Sequence, residues 1–494
     1  MKRIAIVGGG ISGLTAAYEL EQQRRAGKPL DWHLFEASDR LGGIIQTTRL
    51  TTPEGEYILE GGPDAWVSEK PWARDLALEL GLEADLIASI DATRKTWIYL
   101  DGQLQPIPDR MRLMVPEDLS ALESSALFST GAKKAYADEI RRADELKLAA
   151  PQSDESVASF VRRHFGDEAL ARLAAPLLSG VFGGDVHNLS VRAVMPAFVA
   201  MEREHGSLIT ALQARRRERG DKPPAPIFTT LKHGMASLVE AIVAQLPPER
   251  LYLSCEVQHL WDDPCWQIIV NDPKFRPNER PHPLWVDRYD ELVLCTPLRP
   301  TRSLLASADY DLQLDKLLPT KASSAVLVAF TWPPELARTF TVPPGFGVLV
   351  PKTAQTAEPQ LLACTFLDQK FPCRAPAGAR VLRAFFGSRS AEHFASAPDA
   401  QVVATAVEQM RSILGPMPEP AHFAVQRWEY SLPQYEVGHL DRMAQLDDLI
   451  SRKPGLHLLG NSYRGVGLPD LIRDARACAR VLGTAGEHGP SLQI

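Results

Sequence analysis

A chain of 494 residues is too long for one simple core and points to two or three subdomains. Its 45% hydrophobic and 23% charged composition is that of a soluble globular protein, and a net charge of -7 argues against a nucleic-acid binder, which carries a basic excess. Cys255, Cys265, Cys295, Cys364, Cys373 and Cys478 show neither CxxC spacing nor a paired histidine motif, so no structural zinc, no disulfide framework and a reducing compartment are expected.

Met1, Lys2 and Arg3 lead straight into an apolar run without a signal-peptide cleavage pattern. No apolar run reaches the roughly 18–20 residues that a bilayer span needs. KRIAIVGGGISGLTAAYELEQQ reads as a buried strand, a glycine turn and a helix with Leu14, Ala17, Tyr18 and Leu20 on its apolar face. Gly8, Gly10 and Gly13 match GxGxxG. The first glycine permits a tight turn, the second lets backbone approach a pyrophosphate, and the third allows close helix–strand packing. DWHLFEAS is a second short strand carrying Glu36, an acid suited to a ribose 2′-hydroxyl. In SDRLGG, Arg40 can bridge ribose and phosphate oxygens and Gly42-Gly43 admits close backbone approach. NAD dehydrogenases lack that second element. With the diglycine at 61–62 it favours FAD.

PWARDLALELGL predicts a helix between Pro71 and Gly81, and KTWIYLDGQLQPIP a hairpin around Asp101-Gly102. From about 112 to 215 the texture is helical with no clear strands. RRRERGDKPPAP is a polar, proline-rich connection, and HGMASLVEAIVAQLP (233–247) an amphipathic helix. LYLSCEVQHLWDDPCWQIIVN and YDELVLCTP read as strands of one sheet. AVLVAFTW, FGVLVP, LLACTFLD and RVLRAFFGS form a second strand cluster, followed by a helix at DAQVVATAVEQMRSILG. The closing HLLGNSYRGVGLPDLIRDARACA (457–479) is another glycine-rich strand-to-helix junction.

GGGISGLTAAYEL, LFEASDRLGG and LEGGPDAWVSEKP together resemble the FAD-dependent amine oxidase and desaturase superfamily. SGVFGGDVHNLSVRAVMPAFVAMEREHGSL, GFGVLVP, LPQYEVGH and GNSYRGVGLPD resemble its protoporphyrinogen and coproporphyrinogen oxidases. The resemblance implies an α/β architecture of three interleaved parts. A Rossmann-like FAD-binding domain would take 1–65, 220–270 and 425–494. A mixed-sheet substrate domain would take 66–111 and 271–424, part of 285–300 returning to the FAD sheet. A helical, membrane-associating domain would take 112–215.

The implied reaction removes six electrons from a reduced tetrapyrrole through FAD, with oxygen as acceptor and hydrogen peroxide as product. On the cofactor side it implies Gly8, Gly9, Gly10, Ile11, Ser12 and Gly13 at the first turn, with Glu36, Arg40, Gly42 and Gly43 beside them. Gly61, Gly62 and Pro63 would border the ring, Val257 the adenine, and Trp428 the isoalloxazine. Gly460, Val466, Gly467 and Leu468 would lie against the flavin. No cysteine lies in GNSYRGVGLPD, so the FAD is expected to be non-covalent. No metal and no acid or base residue is implied, because electron-rich pyrrole nitrogens drive the oxidation.

Phe346, Gly347, Leu349 and Phe385 fall where the family packs the tetrapyrrole, and Lys70 where it meets a propionate. Phe346 and Phe385 read equally well as strand core, Trp428 as a core aromatic, and Lys70 as a surface lysine. The family also allows a homodimer and a cytoplasmic protein touching the inner face of the cell membrane. Yet LMVPEDLSALESSALF (113–128) lacks the basic face that drives such contact. An amine oxidase, a carotenoid desaturase and a non-catalytic flavoprotein scaffold stay open beside the porphyrinogen oxidases.

Overall fold

The computed structural model describes residues 1–220, 225–262, 265–271, 284–308, 313–352 and 358–484. Five parallel strands form its first sheet, in the order Leu251–Tyr252, Leu30–Phe35, Lys2–Val7, Glu291–Leu294 and Leu456–Leu458. Parallel strands covered on both faces need continuous apolar runs, and Ile4, Ala5 and Ile6 are fully buried. Helices Ile11–Arg25, Ala236–Val243 and Leu468–Leu482 cover one face. In the last, Leu468, Leu471, Ile472, Ala475, Ala479 and Leu482 recur at helical spacing and are buried. The opposite face carries Ala5, Val7, Phe35 and Leu292, packed with Ile268 and Val270 of a three-stranded antiparallel sheet.

A seven-stranded mixed sheet runs His422–Pro433, Ala322–Trp332, Arg380–Gly387, Ala363–Phe366, Gly347–Leu349, Thr96–Leu100 and Gln103–Pro106. Only Gly347–Leu349 and Thr96–Leu100 pair in parallel. The last two strands join through Asp101 (φ 52°) and Gly102 (φ 77°), the left-handed pair of a tight hairpin. One row across this sheet aligns Leu349, Ala363, Phe385, Leu327 and Gln426, and neighbours in register share a face.

Helices from Ser120–Glu123 to Leu208–Arg219 pack around Tyr136, Phe160, Phe165 and Leu173. A small hairpin, Met111–Arg112 with Val115–Pro116, opens this block, whose helical texture shows no clear strands in sequence. Among the described residues no helix is long and apolar enough to cross a membrane.

Three expected domain boundaries run through packed units. Trp66–Val67 pairs with Phe228–Leu231, and Leu76 and Ala77 of helix Trp72–Glu79 share the core of the parallel sheet. Residues just after 65 therefore pack on the dinucleotide side. Strand Trp266–Asn271 crosses the boundary at 270 and pairs with Leu284–Tyr289. Strand His422–Pro433 crosses the boundary at 424 and belongs to the seven-stranded sheet. The strands expected in one sheet around 251–297 also divide: Leu251–Tyr252 and Glu291–Leu294 are parallel, while Val257–Trp261 and Trp266–Asn271 are antiparallel. Apolar alternation marks a strand without naming its partner.

Candidate active site

Gly8 has φ 109°, and a Cβ there would stand 2.8 Å from the carbonyl oxygen of Cys295. A Cβ on Gly13 would fall on the Gly8 carbonyl oxygen, so this position packs helix against strand as expected. Gly10 differs, because nothing lies within 4 Å of where its Cβ would be. It is the N-cap of Ile11–Arg25, has no side-chain cap, and is followed by the buried Ile11 and Ser12. The helix N-terminus is thus left open to a ligand.

The Glu36 carboxylate accepts the Gly9 N–H at 2.7 Å and the Ser38 N–H at 2.9 Å, which fixes it beside the turn. Gly42 N–H donates to the Gly9 carbonyl at 2.8 Å, and Arg40 donates to the Gly43 carbonyl at 2.7 Å. SDRLGG therefore lies edge-on to the first glycine turn. Cys255 N–H donates to the Glu36 carbonyl at 2.8 Å, which brings the buried Val257 to the same strand end.

The closing segment returns to this place. Helix Leu468–Leu482 begins at Gly467, again without a side-chain cap. It runs parallel to Ile11–Arg25: Arg476 pairs with Glu19 at 3.0 Å, and Gln23 donates to the Ala479 carbonyl at 2.9 Å. Two uncapped N-termini, each with partial positive charge, consequently open at one end. Gly460 (φ 124°) likewise has nothing within 4 Å of its Cβ position, whereas a Cβ on Gly465 would meet Asp470. Val466 is half-buried and Leu468 buried.

Tyr435 holds the loop between them. Its hydroxyl accepts the Gly465 N–H at 3.0 Å and donates to the Asn461 carbonyl at 2.7 Å. Its ring stacks on His439 at 4.0 Å, and His439 Nε2 lies 2.6 Å from the Tyr463 carbonyl. Burial lowers His439 to about 4, so the ring is neutral and donates from Nε2. Neither residue was singled out from sequence, although both lie in LPQYEVGH, a stretch that carries the resemblance.

The 60–64 loop forms a further wall. Gly61 N–H donates to the Gln46 carbonyl at 2.7 Å, and a Cβ on Gly62 would fall on the Ile44 carbonyl oxygen. Trp428 Nε1 donates to the Gly61 carbonyl at 2.7 Å, and Arg40 stands 6.0 Å from the Trp428 ring. Arg383 donates to the Gly62 carbonyl, and Pro63 is half-buried between this contact and Asp64. Burial alone would raise the Asp64 carboxyl, but Lys370 and Arg383 outweigh it and hold it at about 2.

Leu349 and Phe385 are half-buried in the same sheet row as Gln426, whose Cγ lies 2.8 Å from a Cβ placed on Gly61. That face of the seven-stranded sheet therefore meets the diglycine loop. Phe346 is buried just before strand Gly347–Leu349, and a Cβ on Gly347 would fall on the Cys364 carbonyl oxygen. Lys70 is half exposed, with its ammonium 2.5 Å from Asp470 in the first turn of the closing helix. A cavity of about 620 Å³ is lined by Arg299, Arg302 and Lys321 together with Asp185, Glu436 and Tyr430. Tyr430 is two residues along the strand from Trp428.

An open glycine turn, a fixed acid, two uncapped parallel helices and an apolar wall across a diglycine loop fit a flavin dinucleotide. A family profile described as flavin containing amine oxidoreductase matches residues 11–482. The coproporphyrinogen III oxidase of Bacillus subtilis is 31% identical over 484 residues, 96% of this chain and 97% of the relative. Protoporphyrinogen oxidase 1, chloroplastic, of Arabidopsis thaliana is 28% identical over 95% of this chain and 86% of its own length. A crystal structure from Exiguobacterium sp., provisionally named a protoporphyrinogen oxidase, has a TM-score of 0.80 at 28% identity, with 98% of each chain covered. The chain belongs to the flavin-containing amine oxidoreductases, carries a flavin cofactor, and groups within that family with the porphyrinogen oxidases.

Proposed function

We propose that this protein oxidises coproporphyrinogen III to coproporphyrin III, holds FAD without a covalent link, and uses oxygen as acceptor. The observation that carries the reading is the register of Leu349, Phe385 and Gln426, which sets a flat apolar wall against the Gly61–Gly62 loop. The relatives supply the substrate class. The choice of coproporphyrinogen over protoporphyrinogen is supported by the relatives, of which the 31% identical Bacillus subtilis protein is a coproporphyrinogen III oxidase and the 28% identical Arabidopsis thaliana protein a protoporphyrinogen oxidase.

When bound, FAD supplies the two-electron oxidation, repeated three times on one macrocycle. The residues of the chain hold and orient. Glu36 would hold the ribose, and the N–H groups after Gly10 would bind the pyrophosphate. Trp428 and Arg383 fix the carbonyls of Gly61 and Gly62, so this loop keeps its shape while substrate comes and goes. Leu349 and Phe385 exclude water from the reacting face. A propionate arriving at Lys70 competes with Asp470 for the ammonium.

Anaerobic mixing tests this reading. Coproporphyrinogen should bleach the yellow protein while primary amines leave it oxidised. Bleaching by amines alone would assign the site to amine oxidation.

A further inference from the structure

Behind the 60–64 loop lies a group of charges of which only Arg383, through its contact with the Gly62 carbonyl, has a part in the site described so far. Glu60 and Arg374 are fully buried and paired at 3.1 Å. Lys370 and Arg383, almost fully buried, both reach Asp64, at 2.9 Å and 3.5 Å. Met235 N–H and the Thr47 hydroxyl complete Glu60, and the Leu231 carbonyl and Thr230 hydroxyl complete much of Arg374. The Nε atoms of Arg374 and Arg383 are buried without a partner. The set holds three cations against two carboxylates, leaving one positive charge uncompensated.

Burying ions costs several kcal/mol each even when paired, and well-packed apolar residues usually serve stability as well or better. An excess charge in such a place needs another reason. Arg383 shows where the charge is directed, since it donates to the Gly62 carbonyl and its guanidinium stands 5.0 Å from the Phe385 ring. It touches both walls of the candidate site. A flavin ring gains negative charge on two-electron reduction whenever it takes up fewer than two protons. A fixed buried cation a short distance away lowers the energy of that state, and low dielectric strengthens the effect.

We infer that the Glu60–Asp64–Lys370–Arg374–Arg383 cluster sets the reduction potential of the bound flavin through its one excess positive charge, with Arg383 as the positioning residue that carries the charge to the ring. This rests on the proposed placement of Gly61, Gly62 and Pro63 beside the flavin. The cluster thereby favours electron uptake from the tetrapyrrole, and Asp64 sets how far by offsetting part of the cationic charge.

Two substitutions of opposite sign test it. Arg383→Gln removes a cation, and Asp64→Asn removes a carboxylate. In redox titrations of the FAD-loaded proteins, Arg383→Gln should lower the two-electron potential by about 30 mV or more, a tenfold change in equilibrium constant. Asp64→Asn should raise it, and Arg383→Lys should stay near the parent value. If Arg383→Gln does not retain FAD, Lys370→Met leaves the Gly62 contact in place and should show the same downward shift. A merely structural cluster would change FAD retention or melting temperature in all variants without opposite shifts in potential. Unchanged potentials, or shifts of one sign in both, would overturn the inference while leaving the flavoprotein reading intact. A parent protein that binds no FAD would overturn both.

Discussion

Trp428 and Gly61, 367 residues apart in sequence, meet through an indole N–H donated to a peptide carbonyl at 2.7 Å. That bond fastens the seven-stranded sheet to the loop proposed to border the flavin. Trp428→Phe keeps the ring and removes the donor, leaving the Gly61 carbonyl short of a partner. A hydrogen bond of this kind contributes about 1 kcal/mol, so the FAD dissociation constant should rise about fivefold. Reconstitution of apoprotein with FAD, followed by flavin fluorescence, measures it.

Gly13 and Gly467 should respond differently to a side chain. Gly13→Ala drives a methyl onto the Gly8 carbonyl, so both the fold and FAD binding should fail. Gly467 has φ -82° and only ordinary contacts around its Cβ position. Gly467→Trp should therefore leave the melting temperature within a few degrees of the parent while FAD occupancy falls. Stoichiometric FAD in Gly467→Trp would mean that the closing loop faces away from the cofactor.

Lys70→Ala breaks a half-exposed ion pair with Asp470, and such pairs contribute about 0–1 kcal/mol. Stability should scarcely change. If a propionate shares Lys70, KM for coproporphyrinogen should rise several-fold at nearly constant kcat. Kinetics identical to the parent would leave Lys70 as the partner of Asp470 alone.

His439 links pH to the closing loop. Its folded value, about 4, lies below the ordinary 6.5 because burial disfavours the charged ring, and its Nδ1 has no acceptor. The unfolded chain therefore binds the proton more readily. The contribution of His439 to stability is complete above pH 6.5 and is lost as pH falls from 6.5 towards 4. The whole span is about 3 kcal/mol. Because His439 supports Tyr435 and the Tyr463 carbonyl, FAD release should accompany this loss. Urea unfolding of the parent should weaken between pH 7 and pH 5 by more than that of His439→Gln. Equal slopes would remove His439 from the account.

Much of the proposed cofactor side is legible because its signals are local. Gly8 to Gly13, Glu36 and Arg40 lie within 33 consecutive residues, and each glycine role follows from chain geometry. The closing motif was also legible, since Gly467 opens a helix whose apolar spacing is unmistakable. The cation cluster was not, because Glu60 and Asp64 meet Lys370, Arg374 and Arg383 only after the seven-stranded sheet forms. Lysine and arginine within apolar strands such as RVLRAFFGS carry no sign of which carboxylate they will find. Tyr435 and His439 stood in a stretch already linked to the family, but their stacking needs the turn at Gly438 (φ 79°) to be visible. Lys70 was placed by resemblance alone, and its partner Asp470 lies 400 residues away.

Parallel turnover of coproporphyrinogen III and protoporphyrinogen IX in air tests the central claim most directly, with porphyrin fluorescence and peroxide followed together. The account predicts higher kcat/KM for coproporphyrinogen III and three peroxides for each porphyrin formed. No porphyrin from either substrate, with FAD bound at full occupancy, would contradict it.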